Sequence, residues 1–313
     1  MNVVITGGAG FIGSNLVNAL LDRDYDVTVI DNLSTGKLDN IRNLLENNKN
    51  LNLIQGDIRD LSLLQKIFNN KDYVFHLAAI SSVAKSVENP ILVDEVNIRG
   101  TLNILVAARD TSIKKVVFAS SAAVYGDTRE LPKREDMPPN PLSPYAVSKL
   151  TGEYYCRVFS ELYDLKTISL RYFNVYGARQ DPNSEYAAVI PKFIHRILDN
   201  KPPIIYGDGS QTRDFIYVKD IVRANLLAIE KKDITGVFNI ASGRKTSINT
   251  LANMIMDILD RKLKPIYEKP REGDIKDSYA DISKAKNKLG FKPLYTLEDG
   301  LGGTIEYFKT SSS

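Results

Sequence analysis

The chain has 313 residues, enough for about two domains at roughly 150 residues each. Apolar residues make up 43% and charged residues 25%, which excludes a disordered chain, a collagen-like repeat and a disulfide scaffold. The net charge of +3 is too small to indicate nucleic acid as a partner. One cysteine and two histidines leave no zinc-type cluster, so we expect no metal.

Membrane and export signals are missing from the sequence. No apolar run approaches the roughly 18 residues that a spanning helix needs. The first residues show no basic region followed by an apolar one. We therefore expect a cytoplasmic protein without a membrane partner.

The first half of the chain alternates β-branched runs with helical patterns. The predicted strands are Asn2–Thr6, Tyr25–Ile30, Leu51–Gln55, Asp72–His76, Lys115–Ala119 and Thr167–Phe173. The predicted helices are Ile12–Leu21, Leu61–Phe68, Val93–Arg109 and Tyr145–Leu162. This alternation predicts an α/β fold, a Rossmann-type doubly wound parallel sheet with helices on both faces.

After Asn174 prolines interrupt shorter elements. The predicted elements there are a helix at Ala187–Leu198, a strand at Ile204–Tyr206, a β-α-β unit at Asp214–Val218, Ile221–Ile229 and Gly236–Ile240 that returns to the first sheet, and a helix from Ile248 to Leu259. We expect residues 1–174, joined by a returning segment at about 214–241, to form the Rossmann domain. Residues 175–313 are expected to form a smaller α/β lobe for the substrate.

A glycine-rich loop, Thr6–Gly13, follows the first strand directly and opens the first helix. Gly7, Gly10 and Gly13 give the spacing G-x-x-G-x-x-G, and a tight turn against a ligand needs glycine. The helix start offers free N–H groups and a partial positive charge to a pyrophosphate. The order strand, glycines, helix therefore predicts a dinucleotide site.

Acidic residues follow the next two strands. Asp31 comes at the end of the second strand, where a carboxylate bonds a ribose 2′-hydroxyl and repels a 2′-phosphate. This favours NAD over NADP. Asp57, after the third strand, is expected either to bond the adenine amine or to cap its strand end.

Tyr145 and Lys149 lie four residues apart on a predicted helix and so share one face. Ser121 ends the fifth strand, at the carboxyl edge where open α/β sheets bind ligands. A tyrosine that takes a proton from a sugar hydroxyl needs its pKa lowered from about 10 towards 7, which corresponds to about 4 kcal/mol. We expect the Lys149 ammonium and an oxidised nicotinamide to supply that lowering, with Ser121 orienting the substrate oxygen.

Two further residues invite a functional reading. His76 ends an apolar strand, and Cys156 lies on the Tyr145 helix among aromatic residues. We expect both to pack rather than to react.

These motifs resemble the extended short-chain dehydrogenase/reductases and, within them, the UDP-hexose 4-epimerases. The matching pieces cover nearly the whole chain: Gly7–Gly13, Asp31–Gly36, Ser120–Gly126, Tyr145–Lys149, Arg171–Asn174, Arg213–Val218 and Arg271–Asp274. The resemblance implies a tightly held NAD that is reduced and reoxidised within one turnover, with Tyr145 taking the 4-hydroxyl proton. It also implies a UDP-sugar substrate and a homodimer through the Tyr145 helix and Val93–Arg109.

The resemblance also assigns binding residues. It implies cofactor contacts from Gly7, Gly10, Phe11, Ile12, Gly13, Asp31, Asn32, Ser34, Thr35, Gly36, Asp57, Ile58, Leu77, Ala78, Ala79, Ser81, Tyr145, Lys149 and Tyr172. It implies substrate contacts from Ser121, Tyr145, Asn174, Val189, Tyr206, Arg213, Arg271, Asp274 and Ser278. In this set Asn174 and the two arginines hold the nucleotide diphosphate, because a guanidinium offers a planar, always-charged donor fork.

Ser278 matches a position beside the sugar's 2-substituent. That position is bulky and aromatic in family members restricted to glucose and galactose, and small in those that accept N-acetylhexosamines. Val175 and Ala188 also depart from the glucose/galactose pattern. We therefore expect UDP-GlcNAc and UDP-GalNAc to be interconverted as well as UDP-Glc and UDP-Gal.

Four other functions are possible for this kind of fold. Related dehydratases place an Asp-Glu pair after the serine and related decarboxylases a Glu, whereas this chain has Ala122 and Ala123, which transfer no protons. A UDP-glucuronate 4-epimerase stays open, because the sequence does not show which residue faces the sugar C6. A non-enzymatic NAD-binding sensor would need none of Ser121, Tyr145 and Lys149.

Overall fold

The computed structural model describes residues 1–182, 188–270 and 275–311. Thirteen strands lie within these residues: β1 (Asn2–Thr6), β2 (Asp26–Asp31), β3 (Leu51–Gln55), β4 (Tyr73–His76), β5 (Lys115–Ser121), β6 (Lys166–Tyr172), β7 (Asn174–Tyr176), β8 (Ile204–Tyr206), β9 (Thr212–Arg213), β10 (Phe215–Tyr217), β11 (Gly236–Ile240), β12 (Thr246–Ser247) and β13 (Ile266–Glu268). The α-helices in the same residues are α1 (Phe11–Leu21), α2 (Arg42–Asn47), α3 (Leu61–Phe68), α4 (Val83–Glu88), α5 (Pro90–Asp94), α6 (Gly100–Asp110), α7 (Pro144–Tyr163), α8 (Val189–Leu198), α9 (Val218–Glu230), α10 (Ile248–Ile258) and α11 (Leu297–Ser311).

Seven strands form one parallel sheet in the order β11-β6-β5-β4-β1-β2-β3. Its central strands are apolar and buried on both faces, as β1 illustrates with Val3, Val4 and Ile5 fully buried. Helices α1 and α9 pack together on one face, and α3, α6 and α7 on the other. The expected doubly wound sheet is confirmed, and the six strands predicted for the first half lie within two residues of their observed bounds.

The segment predicted to return to the sheet does so only in part. Helix α9 packs on the seven-stranded sheet, and strand β11 joins the sheet beside β6. Strand β10, however, pairs in parallel with β7 in a separate two-stranded sheet. Its expected place in the main sheet was wrong, because β5 and β11 already occupy the two sides of β6.

A second apolar core lies under the later elements. It joins α8, α10 and α11 through side chains such as Ile194, Leu251 and Leu301, all fully buried. Short strand pairs β13–β8 and β12–β9 line its outer side. The division into a Rossmann domain and a substrate lobe stays a prediction. The separate apolar core under α8, α10 and α11 is consistent with it.

The helix predicted over Val93–Arg109 is interrupted. A π-helical turn, Glu95–Arg99, separates α5 from α6. Within it Asn97 donates to the Ile80 carbonyl oxygen at 3.0 Å and to Ser148 Oγ at 3.0 Å, and accepts from the Ile80 amide at 2.8 Å. A single π turn of this kind re-aims one side chain, and here it ties the loop after β4 to α7.

No helix in the described part of the chain is long and apolar enough to cross a bilayer.

Candidate active site

The glycine loop has the geometry of a phosphate cradle. Gly7 has φ +74°, and a Cβ there would lie 2.7 Å from the Ala78 amide nitrogen. A Cβ on Gly13 would lie 2.1 Å from the Gly7 carbonyl oxygen. Gly10 starts α1 without a side-chain cap, so the helix presents backbone N–H groups to whatever lies in front of it. The missing side chains let the loop pack backbone to backbone against Ala78 and the first turn of α1, which fixes the helix start at the cavity.

The loop opens into a cavity of about 1160 Å³ along the carboxyl edge of the sheet. This volume exceeds that of most small-molecule sites and suits a dinucleotide. Every residue expected to contact the cofactor lies in its wall: Gly7, Gly10, Phe11, Ile12, Gly13, Asp31, Asn32, Ser34, Thr35, Gly36, Asp57, Ile58, Leu77, Ala78, Ala79, Ser81, Tyr145, Lys149 and Tyr172. Their individual contacts with the cofactor stay predictions.

Asp31 is buried and organises the loops around this cavity. Its Oδ2 accepts from the Ala9 amide at 2.9 Å, and its Oδ1 accepts from the Leu33 amide at 2.9 Å. The carboxylate therefore fixes the glycine loop to the loop after β2. Each oxygen retains a second lone pair, so the expected bond to a ribose hydroxyl stays open to it.

Asp57 makes the strand-end contacts considered for it, and its bond to the adenine amine stays a prediction. It accepts from the Arg59 amide at 2.9 Å and from the Arg59 side chain at 2.8 Å, as a strand-end turn requires. Asn32 Nδ2 also donates to it at 3.1 Å. The hydrogen bonds from Arg59 lower its pKa to about 2, so it carries a charge in the cavity wall.

The catalytic candidates come together as expected. Pro144 and the cap Ser143, whose Oγ accepts from the Ala146 amide at 3.1 Å, start α7 and bring Tyr145 to the cavity. The Ser121 side chain lies close enough to the Tyr145 hydroxyl to lower its pKa. Ser121 does not lie in the cavity wall itself and reaches it through Tyr145.

Lys149 is buried one turn further along α7. Its Nζ donates to the Ala119 carbonyl oxygen at 2.8 Å and lies 5.9 Å from the centre of the Tyr145 ring. Burial lowers its pKa to about 8. Lysine, serine and tyrosine thus meet at the ends of β5 and α7.

The expected lowering of the Tyr145 pKa by Lys149 together with an oxidised nicotinamide stays a prediction. Burial raises the pKa of Tyr145, and the nearby Ser121 side chain only partly offsets it. Lys149 does not overcome burial because its ammonium group is directed at the Ala119 carbonyl rather than held by the phenol. The lowering that proton abstraction needs must therefore come with the bound reactants.

Predicted substrate residues lie beyond this cavity on the later elements. The described ones outside its wall, besides Ser121, are Asn174, Val189, Tyr206, Arg213 and Ser278. Asn174 and Tyr206 are at the ends of β7 and β8, and Val189 starts α8. Arg271 and Asp274 lie outside the described residues.

Arg213 and Ser278 are brought next to each other in the fold. The Ser278 amide donates to the carbonyl oxygen of Thr212, the residue before Arg213, at 3.1 Å. The neighbouring Asp214 is fully buried and accepts from the Ser242 amide at 2.8 Å and the Ala280 amide at 3.2 Å. Burial raises its pKa to about 6. Asp214 was not predicted, and it fixes the segment that carries Ser278 beside Arg213.

Two residues that follow β7 and line the cavity were not predicted from the sequence. Arg179 and Asp181 lie in its wall. Arg179 Nη1 donates to the Ser14 carbonyl oxygen at 2.8 Å, and Lys37 Nζ lies 2.9 Å from Asp181 Oδ2. The only local signal is the positive φ of Arg179, 69°, which a sequence does not reveal.

His76 and Cys156 are packing residues, as expected. The two ring nitrogens of His76 lie 2.8 Å from Thr6 Oγ1 and 2.9 Å from Thr101 Oγ1. Burial lowers its pKa to about 3 and raises the pKa of the Cys156 thiol to about 12. Both groups are therefore neutral.

A glycine cradle, a buried acidic residue after β2 and a Ser-Tyr-Lys group on one sheet edge define a Rossmann enzyme that binds a nicotinamide dinucleotide. The family model described as "NAD dependent epimerase/dehydratase family" matches residues 3–241, and the chain belongs to this family. NAD is its cofactor, and the open glycine cradle and the cavity wall accommodate it.

Similar proteins cover the whole chain. A putative UDP-glucose 4-epimerase of Methanocaldococcus jannaschii is 45% identical over 312 residues, 99% of each chain. The structure of a UDP-N-acetylglucosamine 4-epimerase from Methanobrevibacter ruminantium M1, in complex with UDP-N-acetylmuramic acid, is 49% identical with TM-score 0.95, covering 99% of this chain and 98% of that one. A UDP-glucose 4-epimerase from Thermotoga maritima with UDP-glucose is 42% identical with TM-score 0.95 over all of both chains. The chain is thus an enzyme of the UDP-sugar epimerase family.

Proposed function

We propose that the protein is a UDP-hexose 4-epimerase that interconverts UDP-GlcNAc and UDP-GalNAc as well as UDP-Glc and UDP-Gal. The observation that carries this proposal is that Tyr145 and Lys149 lie in the cavity wall with Ser121 next to Tyr145. Epimerisation at C4 needs one acid-base group that gives back the proton it takes. Tyr145 is the only side chain of the three whose hydroxyl lies in that wall.

The chain's own residues divide the work. Tyr145 accepts the proton of the sugar 4-hydroxyl and later returns it to the oxygen of the 4-keto sugar. Ser121 holds the Tyr145 hydroxyl and orients the substrate oxygen. Lys149 places a positive charge near the phenol and so favours its ionised form. Bound NAD⁺ supplies a reversible hydride acceptor and a positive charge.

Two alanines beside Ser121 support epimerisation over elimination. Ala122 and Ala123 start a short 3-10 turn, Ala122–Tyr125, directly after β5. Neither can transfer a proton, whereas loss of water or carbon dioxide requires an additional acid or base at the sugar. The 4-keto sugar therefore turns over and is reduced again with no net change in redox state.

Ser278 supports the wider substrate range. Its backbone is tied to Thr212 beside Arg213, the residue that we assign to the nucleotide diphosphate. A serine at position 278, close to Arg213, leaves space for an acetamido group at the sugar C2. A tyrosine would fill that space.

The test is a product analysis with a matched pair of variants. Purified protein is incubated, with no NAD added, with UDP-Glc, UDP-GlcNAc and UDP-glucuronate, and the products are separated by chromatography. We expect turnover of the first two without added cofactor. Ser278→Tyr should lose most activity on UDP-GlcNAc and keep that on UDP-Glc, while Ser278→Ala keeps both.

Three results would contradict the proposal. Unchanged UDP-GlcNAc activity in Ser278→Tyr would remove the specificity assignment. Turnover of UDP-glucuronate alone would favour the glucuronate 4-epimerase reading. Retention of NAD with no turnover of any UDP-sugar would favour a sensor.

We further propose that two chains assemble through α7 together with α4 and α5, instead of through α7 and the expected segment Val93–Arg109. These helices pack together and expose apolar side chains at Val87 (65%), Ile91 (73%) and Tyr154 (48%). Exposed apolar side chains on adjoining helices are typical of a subunit interface. Sedimentation should show a dimer, and Val87→Lys combined with Ile91→Lys should give a monomer. A wild-type monomer at micromolar concentration would refute this arrangement.

A further inference from the structure

Glu153 forms a buried polar network directly behind the catalytic groups. It lies on α7 one turn beyond Lys149, and its side chain is only 3% exposed. Ser120 Oγ donates to Glu153 Oε1 at 2.5 Å. Arg171 Nε donates to Oε1 at 2.8 Å, and Arg171 Nη2 donates to Oε2 at 2.7 Å. Glu153 itself does not lie in the wall of the dinucleotide cavity.

The network falls in the middle of the contacts between α7 and the end of β5. Three consecutive residues of the strand each meet one of three consecutive turns of the helix. Ala119 accepts from Lys149, Ser120 donates to Glu153, and Ser121 lies next to the Tyr145 hydroxyl, whose pKa it lowers. Arg171, paired in register with Ser120, extends the same connection to β6.

Stability alone is a poor explanation for this ion pair. A buried pair loses its hydration, and apolar side chains of similar size often stabilise a fold as well or better. Arg171 Nη1 has no hydrogen-bond partner among the described residues, and the guanidinium lies 4.6 Å from the Tyr125 ring centre. A two-bond carboxylate–guanidinium pair does, however, fix the relative position of the two elements that carry it.

We propose that Glu153 is a positioning residue for the reaction: through Ser120 and Arg171 it sets the rotation and height of α7 on β5 and β6. That setting keeps the Tyr145 hydroxyl at Ser121 and the Lys149 ammonium at the Ala119 carbonyl. Because Glu153 is outside the cavity wall, its effect falls on the chemical step and not on the binding of NAD or substrate. The proposal rests on the proposed roles of Tyr145, Ser121 and Lys149.

The test compares Glu153→Gln with Ser160→Ala. Gln has the shape of Glu but cannot form the ion pair. Ser160 lies on the same helix and bonds Thr167 of β6, with Oγ–Oγ1 2.8 Å, but is roughly 22 Å along the helix from Tyr145. We expect Glu153→Gln to lower kcat about 10- to 100-fold, as a displacement of catalytic groups by up to 1 Å does. KM and retained NAD should change less than about two-fold.

The pH dependence separates positioning from general weakening of the fold. A displaced Lys149 supports the ionised tyrosine less well, so the acidic limb of the kcat profile should move to higher pH in Glu153→Gln. Ser160→Ala should keep the wild-type profile and a kcat within about two-fold of wild type, even if it lowers Tm as much as Glu153→Gln does. An unchanged kcat and profile in Glu153→Gln, or the same loss in both variants, would overturn the proposal.

Two further variants keep the outcome decisive. If Glu153→Gln does not fold, Ser120→Ala removes only the hydroxyl donor, and it should lower kcat and move the profile in the same direction with the ion pair intact. A wild-type profile in Ser120→Ala would then overturn the proposal. Tyr145→Phe tests the underlying assignment: if it is active, the proposed function fails, whereas an inactive Tyr145→Phe with a normal Glu153→Gln refutes positioning alone.

Discussion

Gly13→Ala should release NAD while leaving the rest of the fold in place. Gly13 lies in the first turn of α1, and a Cβ there would be 2.1 Å from the Gly7 carbonyl oxygen and 2.8 Å from Gly8 Cα. Both are backbone atoms, so no side-chain rotation relieves the contact. The glycine loop must move by about 1 Å to restore ordinary contact distances.

The energetic cost follows from two opposing effects. Overpacking costs about 1–3 kcal/mol. Alanine in place of glycine within a helix returns about 1 kcal/mol. The net loss of stability is therefore modest, but the loop that carries the backbone donors is displaced. We expect NAD affinity to fall at least about ten-fold, equivalent to about 1.4 kcal/mol.

The assay is the amount of NAD that copurifies, measured after denaturing the protein, together with a titration of the cofactor-free protein. Gly302→Ala is the matched control, because it also replaces a helical glycine and its Cβ would meet nothing within 4 Å. It should retain NAD and keep or slightly raise Tm. Wild-type NAD content and affinity in Gly13→Ala would refute the reasoning about the cradle.

Two other predictions follow from the same cavity and its surroundings. The pKa of His76 lies at about 3, below its ordinary 6.5, so the unfolded chain takes up this proton first as the pH falls. The stability that neutral His76 contributes is present above pH 6.5 and is lost at about 1.4 kcal/mol per pH unit towards pH 4. The free energy of unfolding in urea should therefore fall less steeply with decreasing pH in His76→Gln than in the wild type. Equal pH dependence in the two proteins would contradict this. An exposed pair such as Lys37–Asp181 is worth about 0.4–1 kcal/mol, so Lys37→Ala should speed NAD release about two- to five-fold, whereas Lys37→Arg should not. Displacement of labelled NAD measures it, and equal rates for Lys37→Ala and wild type at low salt would count against the contact.

Local patterns were sufficient for the sheet and for placing the glycine loop and Asp31 at the cavity. Strands β1 and β3 have their predicted bounds because buried β-branched runs end at turn residues on both sides. The glycine loop and Asp31 were identified because their spacing within a βαβ unit is fixed by the ligand. Ser143 and Pro144 likewise determine where α7 begins, and with it the direction of Tyr145.

What the sequence could not reveal depends on contacts between distant segments. The π turn at Glu95–Arg99 exists because Asn97 bonds Ile80 and Ser148, and periodicity carries no record of such partners. The pKa of Tyr145 was expected to fall because its helical spacing to Lys149 was known, but the direction of the Lys149 ammonium towards Ala119 was not. Arg171 was recognised only as part of a motif, without its partner Glu153.

In the proposed reaction Tyr145, next to Ser121 and Lys149, transfers the proton at the sugar C4. Its most direct test is the kcat of Tyr145→Phe, purified with NAD bound, for the conversion of UDP-GlcNAc to UDP-GalNAc. We predict a fall of about 10²- to 10⁴-fold, the range expected when a general acid-base group is removed, with bound NAD unchanged. Turnover at the wild-type rate would contradict it.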